Sequence, residues 1–289
     1  MFKRFLKSFK DFFKVIFRNR QATIGLFILV FFLLMATVGV ELVPLDMSIN
    51  FQNRFQMPSM EHPLGTDYVG RDILAQTIHG SRDVLTLGVV CAIMSLGMGI
   101  LIGALGAFIG GWVDTALNFV TNIFLTIPAF PLMLILAVAF NVQNIWAAGF
   151  ILAVVSWGGV ARVVRGQILS LKHAEYIIAC RIMGLKTWYI ILKEILPNMI
   201  SMLAVQFIGL FQGGIASSMG LMMLGALTYR PTNWGVMLSL ALQNTGIAYN
   251  PKGLIYFFTP IVCLALLQLG CIFFSSGLDE ALNPRLRTE

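Results

Sequence analysis

Residues 84–113 read VLTLGVVCAIMSLGMGILIGALGAFIGGWV, thirty positions without one charge. At 1.5 Å per residue this run makes a helix of about 45 Å, longer than the ~30 Å hydrocarbon core of a bilayer. In hydrocarbon only a helix or a closed barrel satisfies its own backbone polar groups, and the run lacks the alternation of a barrel strand. The same pattern recurs on both sides. Upstream, 21–40 is uncharged. Downstream no charge appears from Thr115 to Ala161, too long for one span, and Pro128, Pro131, Asn141, Gln143 and Asn144 divide it into helices near 115–140 and 145–161. Residues 195–229 and 253–278 supply a fifth and a sixth span. The expectation is an all-α integral membrane protein with six transmembrane helices. Composition agrees: 58% of the 289 residues are hydrophobic and 11% charged, which excludes a water-facing globule.

Lysine and arginine placement predicts the orientation. Seven basic residues precede position 21 (Lys3, Arg4, Lys7, Lys10, Lys14, Arg18, Arg20), six lie between Arg162 and Lys193, and Arg285 and Arg287 end the chain. Five of the twenty fall in the opposite loops. Cytoplasmic loops carry the excess. Both termini and Lys172 are therefore expected in the cytoplasm, with 44–83 and 228–252 outside. The net charge of +7 is a topology signal and calls for no nucleic-acid partner. Phe2, Phe5, Leu6, Phe9, Phe12, Phe13 and Ile16 recur at helical spacing among lysines, so 1–20 reads as an amphipathic helix in the headgroup layer of the lipid bilayer. A cleaved signal peptide does not fit, because the following apolar run is too long and no small-residue cleavage site follows it. The division is 1–20, a six-helix membrane domain over 21–278, and a cytoplasmic tail over 279–289.

The central turns of the spans hold no acid or base, whereas an ion-coupled carrier keeps such a group for function. Polar residues do occur: Asn118, Thr121 and Asn122 in the third span, Gln206 and Gln212 in the fifth, Gln268 in the sixth. They either line a translocation path or bond helix to helix, and both readings stand. Gly99, Gly103, Gly106 and Gly110 read as close helix packing, and Pro128 and Pro131 as a kink. Cys91, Cys263 and Cys271 sit in spans and Cys180 in a cytoplasmic loop; with His62, His79 and His173 scattered, no metal site is expected. The chain has no phosphate-binding loop, since Gly184-Leu185-Lys186-Thr187 lacks the spacing. It is expected to be no enzyme and to hold no cofactor; any ATP and Mg would be bound by a separate partner.

The loop 162–197 carries the most information. Residues 175–183 read as a short helix stopped by Gly184, with Tyr176, Ala179, Cys180 and Met183 on one face and Ile178 and Ile182 widening it. Such a helix needs something to pack on, either its own spans or a second protein. The stretch Glu175 to Cys180, then Gly184, then Leu196-Pro197, resembles the coupling motif of ABC import permeases, whose usual form is Glu-Ala-Ala, three residues, Gly, and Leu-Pro after eleven more. His62-Pro63-Leu64-Gly65-Thr66-Asp67 with Gly70-Arg71-Asp72, Gly110-Gly111-Trp112-Val113-Asp114, Arg162 with Arg165-Gly166-Gln167, and Asn283-Pro284-Arg285-Leu286-Arg287 accompany it in order. Together they resemble the dipeptide/oligopeptide (nickel) importer family over nearly the whole chain.

That resemblance implies a type I importer permease fold in a prokaryotic inner membrane. It implies a second homologous permease as heterodimer partner, two cytoplasmic ATPase subunits and an extracytoplasmic solute-binding protein. Glu175, Tyr176, Ile178, Ala179, Cys180, Met183, Gly184, Leu196 and Pro197 would couple ATPase closure to alternating access. The family's coupling Glu is Ile178 here, with Glu175 one turn before it. Di- or oligopeptides are the implied cargo, with oligosaccharides or nickel as alternatives; a stand-alone carrier or channel, or an assembly factor, are the rival classes. Outside, Thr66 or Asp67 is expected to cap a helix starting near Val69. Arg71, Asp72, Arg230 and Trp234 are candidates for docking the binding protein, although a solvated loop would look the same.

Overall fold

The computed structural model describes residues 15–227, 230–244 and 251–282, with all side chains except those of 279, 280 and 282. Most of the amphipathic segment expected before residue 20, Tyr229 and the motif at 283–287 lie outside the described residues.

Each apolar run becomes a helix with a local reason for its ends. Helix α1 (Arg20–Leu34) starts where the Asn19 side chain accepts the Ala22 N–H at 3.1 Å. It widens into a π turn at Met35–Gly39 and closes at Leu42. Helix α2 (Ile73–Ile109) runs 37 residues. Its cap is Asp72, which accepts the Ala75 N–H at 2.7 Å, not Thr66 or Asp67. The helix begins well before the uncharged run because Arg82 and Asp83 are polar only for the membrane; nothing in them stops a helix. Helices α3 (Gly111–Thr126) and α4 (Ala129–Ala139) are bent by 89°. Pro128 forces Ile127 into extended backbone (φ −72°, ψ 130°), so the expected kink is a full break. Pro131 lies in the first turn of α4, where no N–H is needed.

Helix α5 (Ile145–Leu171) is capped by Asn144 and continues through Arg162 and Arg165, past the end that charge alone suggested. After α6 (Glu175–Ile182), a helical connector with a π segment at Ile190–Ile195 leads into α7 (Ile200–Met223). Helix α8 (Trp234–Asn244) occupies part of the expected outer loop, because Trp234, Met237, Leu238 and Ala241 bury themselves on the core. Helix α9 (Leu254–Leu282), the last described element, has Pro260 inside it. Five of the described helices are long and apolar enough to cross a membrane, and the count is six if the bent α3–α4 pair is one broken span.

Helix α2 is the centre of the bundle and packs most extensively on α5. A Cβ on Gly99 would lie 2.7 Å from Val160, and one on Gly103 2.5 Å from the Ala161 carbonyl oxygen. Gly99 and Gly103 do serve close helix approach, whereas Gly110 (φ +75°) ends α2 with no neighbour within 4 Å of a Cβ, so it is a helix stop and not a packing residue. Helix α1 lies against α9 in the same way, with a Cβ on Gly25 falling 2.4 Å from the Phe274 nitrogen.

Candidate functional site

Helix α6 is built to stop. Gly184 has φ +72°, its N–H donates to Arg181 O at 3.0 Å, and the Leu185 N–H donates to Cys180 O at 3.2 Å. These are the two bonds of a Schellman cap, and they need a residue that adopts positive φ without strain. Glu175 sits in the first turn, where the helix dipole favours a carboxylate.

The eight residues have two faces. Ile177 (0% exposed) and Cys180 (8%) pack among Val164, Ile168, Ile190, Ile191 and Ile195 of the chain itself. Tyr176, Ile178, Ala179, Ile182 (82%) and Met183 are exposed. Cys180 therefore faces its own bundle, not outward with Tyr176 and Ala179, and the inward anchor Ile177 was missed. The signal was present: Ile177 and Cys180 are three apart, on one face of the helix. The Arg181 guanidinium stacks 4.6 Å from the centre of the Phe108 ring, tying α6 to the last turn of α2. Leu196 and Pro197 lie at the junction of the connector with α7, Leu196 packed against the cluster that holds Ile177 and Cys180 and Pro197 in a helical first turn.

At the same end of the bundle, two sequence motifs meet. Arg165 of α5 grips Asp114 of α3 with both prongs, Nε to Oδ1 at 2.6 Å and NH2 to Oδ2 at 2.7 Å. One turn away Arg162 donates to Asn122 Oδ1 at 2.8 Å. Asn118 lines a narrow cleft with Asp114, Thr121, Arg162 and Arg165. Sequence reasoning singled out Asn122 and Arg162 separately and did not join them. Gln212 and Gln268 exchange bonds, each side-chain N–H2 donating to the other's backbone carbonyl at 3.0 and 3.2 Å. Those two amides join α7 to α9. Gln206 is half-buried on α7.

At the other end, residues 43–72 fold back on themselves. Asp67 is buried and accepts from the Val69 and Arg71 N–H groups and from Gln76 Nε2. The Thr66 hydroxyl donates to Asn53 O. Gly65 and Gly70 take positive φ, each against a carbonyl oxygen of the 50–56 strip that a Cβ would strike. Asp72 both caps α2 and accepts from His62 Nδ1 at 2.8 Å, and Arg71 Nε donates to Met47 O. Burial, and then the Asp67 charge, push the Tyr68 phenol above its usual range. The Ser48 N–H holds the Asp46 carboxyl below its own. Asp46, Ser48, His62, Arg71 and Asp72 line an open cavity of about 500 Å³.

Of the four docking candidates, Arg71 and Asp72 are engaged inside this loop. Trp234 is 0% exposed and donates its Nε1–H to Thr77 O at 2.9 Å, so it is a core residue and no docking contact. Arg230 is exposed beside a second cavity of about 450 Å³ shared with His79, Arg82 and Asp83. Among the described residues no three His, Cys, Asp or Glu gather as metal ligands.

Comparison with known proteins agrees with this arrangement. Residues 95–288 match the family of binding-protein-dependent transport system inner membrane components. Residues 7–58 match the N-terminal transmembrane domain of oligopeptide transport permease C. The chain is similar to the dipeptide transport system permease protein DppC of Bacillus subtilis, 32% identical over 93% of this chain and 83% of the relative. It is 31% identical to that organism's oligopeptide transport system permease protein OppC, over 99% of this chain and 92% of the relative. OppC of Haemophilus influenzae is 34% identical over 94% and 86%.

Proposed function

The chain belongs to the family of binding-protein-dependent transport system inner membrane components, and on that premise we propose that it forms half of the translocation path of an ATP-driven importer of di- or oligopeptides. A second permease supplies the other half, two ATPase subunits drive the cycle from the cytoplasm, and an extracytoplasmic binding protein delivers the peptide. Both termini and α6 lie on the cytoplasmic side, as the lysine and arginine excess indicates.

The observation that carries this reading is the two-faced α6. One face is seated on the chain's own α5 and connector, and the opposite face leaves Tyr176, Ile178, Ile182 and Met183 uncovered at the water-facing end of a membrane protein. An ATPase groove closing over that face moves α6 as a rigid body. The Ile177 seat and the Arg181–Phe108 stack hand the motion to α5 and α2. No chemistry is needed from this chain; its work is to open one side of the path and then the other.

The test is recovery of the ATPase subunits with tagged importer carrying wild type or Ala179→Glu at equal membrane expression. Ala179 is exposed on α6, so a carboxylate there leaves the bundle intact and places an unpaired charge in the contact. ATPase recovery and transport are expected to fall together. Equal recovery with unchanged transport would remove α6 from the coupling role.

A further inference from the structure

Helix α3 carries four of its polar residues on one stripe. Thr115, Asn118, Asn122 and Thr126 recur at intervals of three and four, within one narrow arc of the helix. Thr115, Asn122 and Thr126 are exposed and Asn118 is half-buried. The two threonine hydroxyls are occupied by backbone carbonyls of their own helix.

Onto this stripe α5 projects an arginine. Arg162 is exposed, and its one hydrogen bond among the described residues goes to the neutral amide oxygen of Asn122. Arg165, one turn on, is matched by a full carboxylate. A guanidinium has five N–H donors, so most of those on Arg162 are unspent. Its position is about 25 Å along α5 from Ile145, near the cytoplasmic end of a hydrocarbon core of ~30 Å. An exposed cation without a carboxylate partner, set beside an exposed polar stripe, belongs against a water-filled path and not against lipid tails.

We propose that Arg162, held in place by Asn122, is the point on the path wall that takes the C-terminal carboxylate of the transported peptide. This rests on the peptide-importer reading above. Unmodified peptides of any sequence share a planar terminal carboxylate, and the guanidinium fork fits it with two parallel bonds. Asn122 serves because it orients the guanidinium without neutralising it. An aspartate there would close the arginine into a pair like Asp114–Arg165.

The experiment uses the complete importer in liposomes with ATP on the ATPase side and saturating binding protein. Uptake of one tripeptide is compared with uptake of its C-terminal amide for wild type, Asn122→Asp, Arg162→Gln and Arg162→Lys. Wild type is expected to favour the free acid by roughly two- to fivefold, the range of an accessible ion pair. In Asn122→Asp and Arg162→Gln the ratio should fall to about one, through slower uptake of the acid; Arg162→Lys should retain part of it. Asn122→Asp keeps the shape and adds an ion pair, so a purely structural role predicts no loss. Equal slowing of acid and amide in Arg162→Gln would assign the arginine to a lipid phosphate or to packing and overturn the proposal. An acid-to-amide ratio unchanged in both variants would overturn it as well. Peptide uptake absent in wild type would instead overturn the importer reading on which it rests.

Discussion

Truncating Ile177 to alanine should release α6 from the membrane domain while leaving the six spans in place. Ile177 is fully buried among Ile190, Ile191, Ile195, Val164 and Ile168. Removing such a side chain costs about 2–5 kcal/mol. Eight residues make a helix of about 12 Å, too short to persist in water without tertiary support. The loss therefore falls on the local docking of α6, and even 2 kcal/mol raises its open population about 30-fold. Ile182, 82% exposed on the opposite face, should change local stability by no more than about 0.5 kcal/mol when truncated. The assay is amide hydrogen exchange of the segment 175–182 in the detergent-purified protein. Faster exchange in Ile177→Ala beside unchanged exchange in Ile182→Ala is the expected pattern. Equal exchange in the two variants, or none gained in Ile177→Ala, would refute the two-faced description of the helix.

Gly25→Leu should part α1 from α9, because even its Cβ falls 2.4 Å from a backbone nitrogen of α9; a marked drop in thermal stability of the purified protein checks it. Trp234→Ala should cost about 3–5 kcal/mol and lower membrane recovery, whereas Arg230→Ala, at an exposed site, should leave stability within about 0.5 kcal/mol; thermal denaturation in detergent compares them. On a cysteine-free background, Glu61→Cys should react with an impermeant maleimide in intact cells and Lys172→Cys only after the membrane is opened. Labelling of position 172 from outside would reverse the topology.

The spans were legible because their signal is additive: some twenty apolar residues in a row outweigh any single misplaced one. Their ends were not, since absence of charge marks the hydrocarbon and not the helix. Arg82 and Asp83 near the start of α2, and Arg162 and Arg165 near the end of α5, are helical all the same. The stop at Gly184 was readable, because only a glycine takes that φ cheaply and the spacing left one place for it. The faces of α6 were harder to read. Nearly all its residues are apolar, so no stripe stands out, and the choice between Ile177 and Tyr176 as the inward residue depends on isoleucines 13 to 18 positions away. Trp234 was misplaced for a similar reason: an aromatic in a turn-rich segment looks exposed until α8 folds it under α2 and onto Phe32. The Asp114–Arg165 pair joins residues 51 apart, a pairing that motif order alone does not announce.

The account turns on whether this chain moves peptide when an ATPase works on it. The direct measurement is ATP-dependent uptake of a labelled di- or tripeptide into liposomes holding the chain with its sibling permease and ATPase subunits, with the binding protein outside. Accumulation that requires both ATP and binding protein, and that Ile182→Glu on the uncovered face of α6 abolishes while the complex stays inserted, is the result predicted. Accumulation that proceeds without ATP, or that ignores Ile182→Glu, would contradict it.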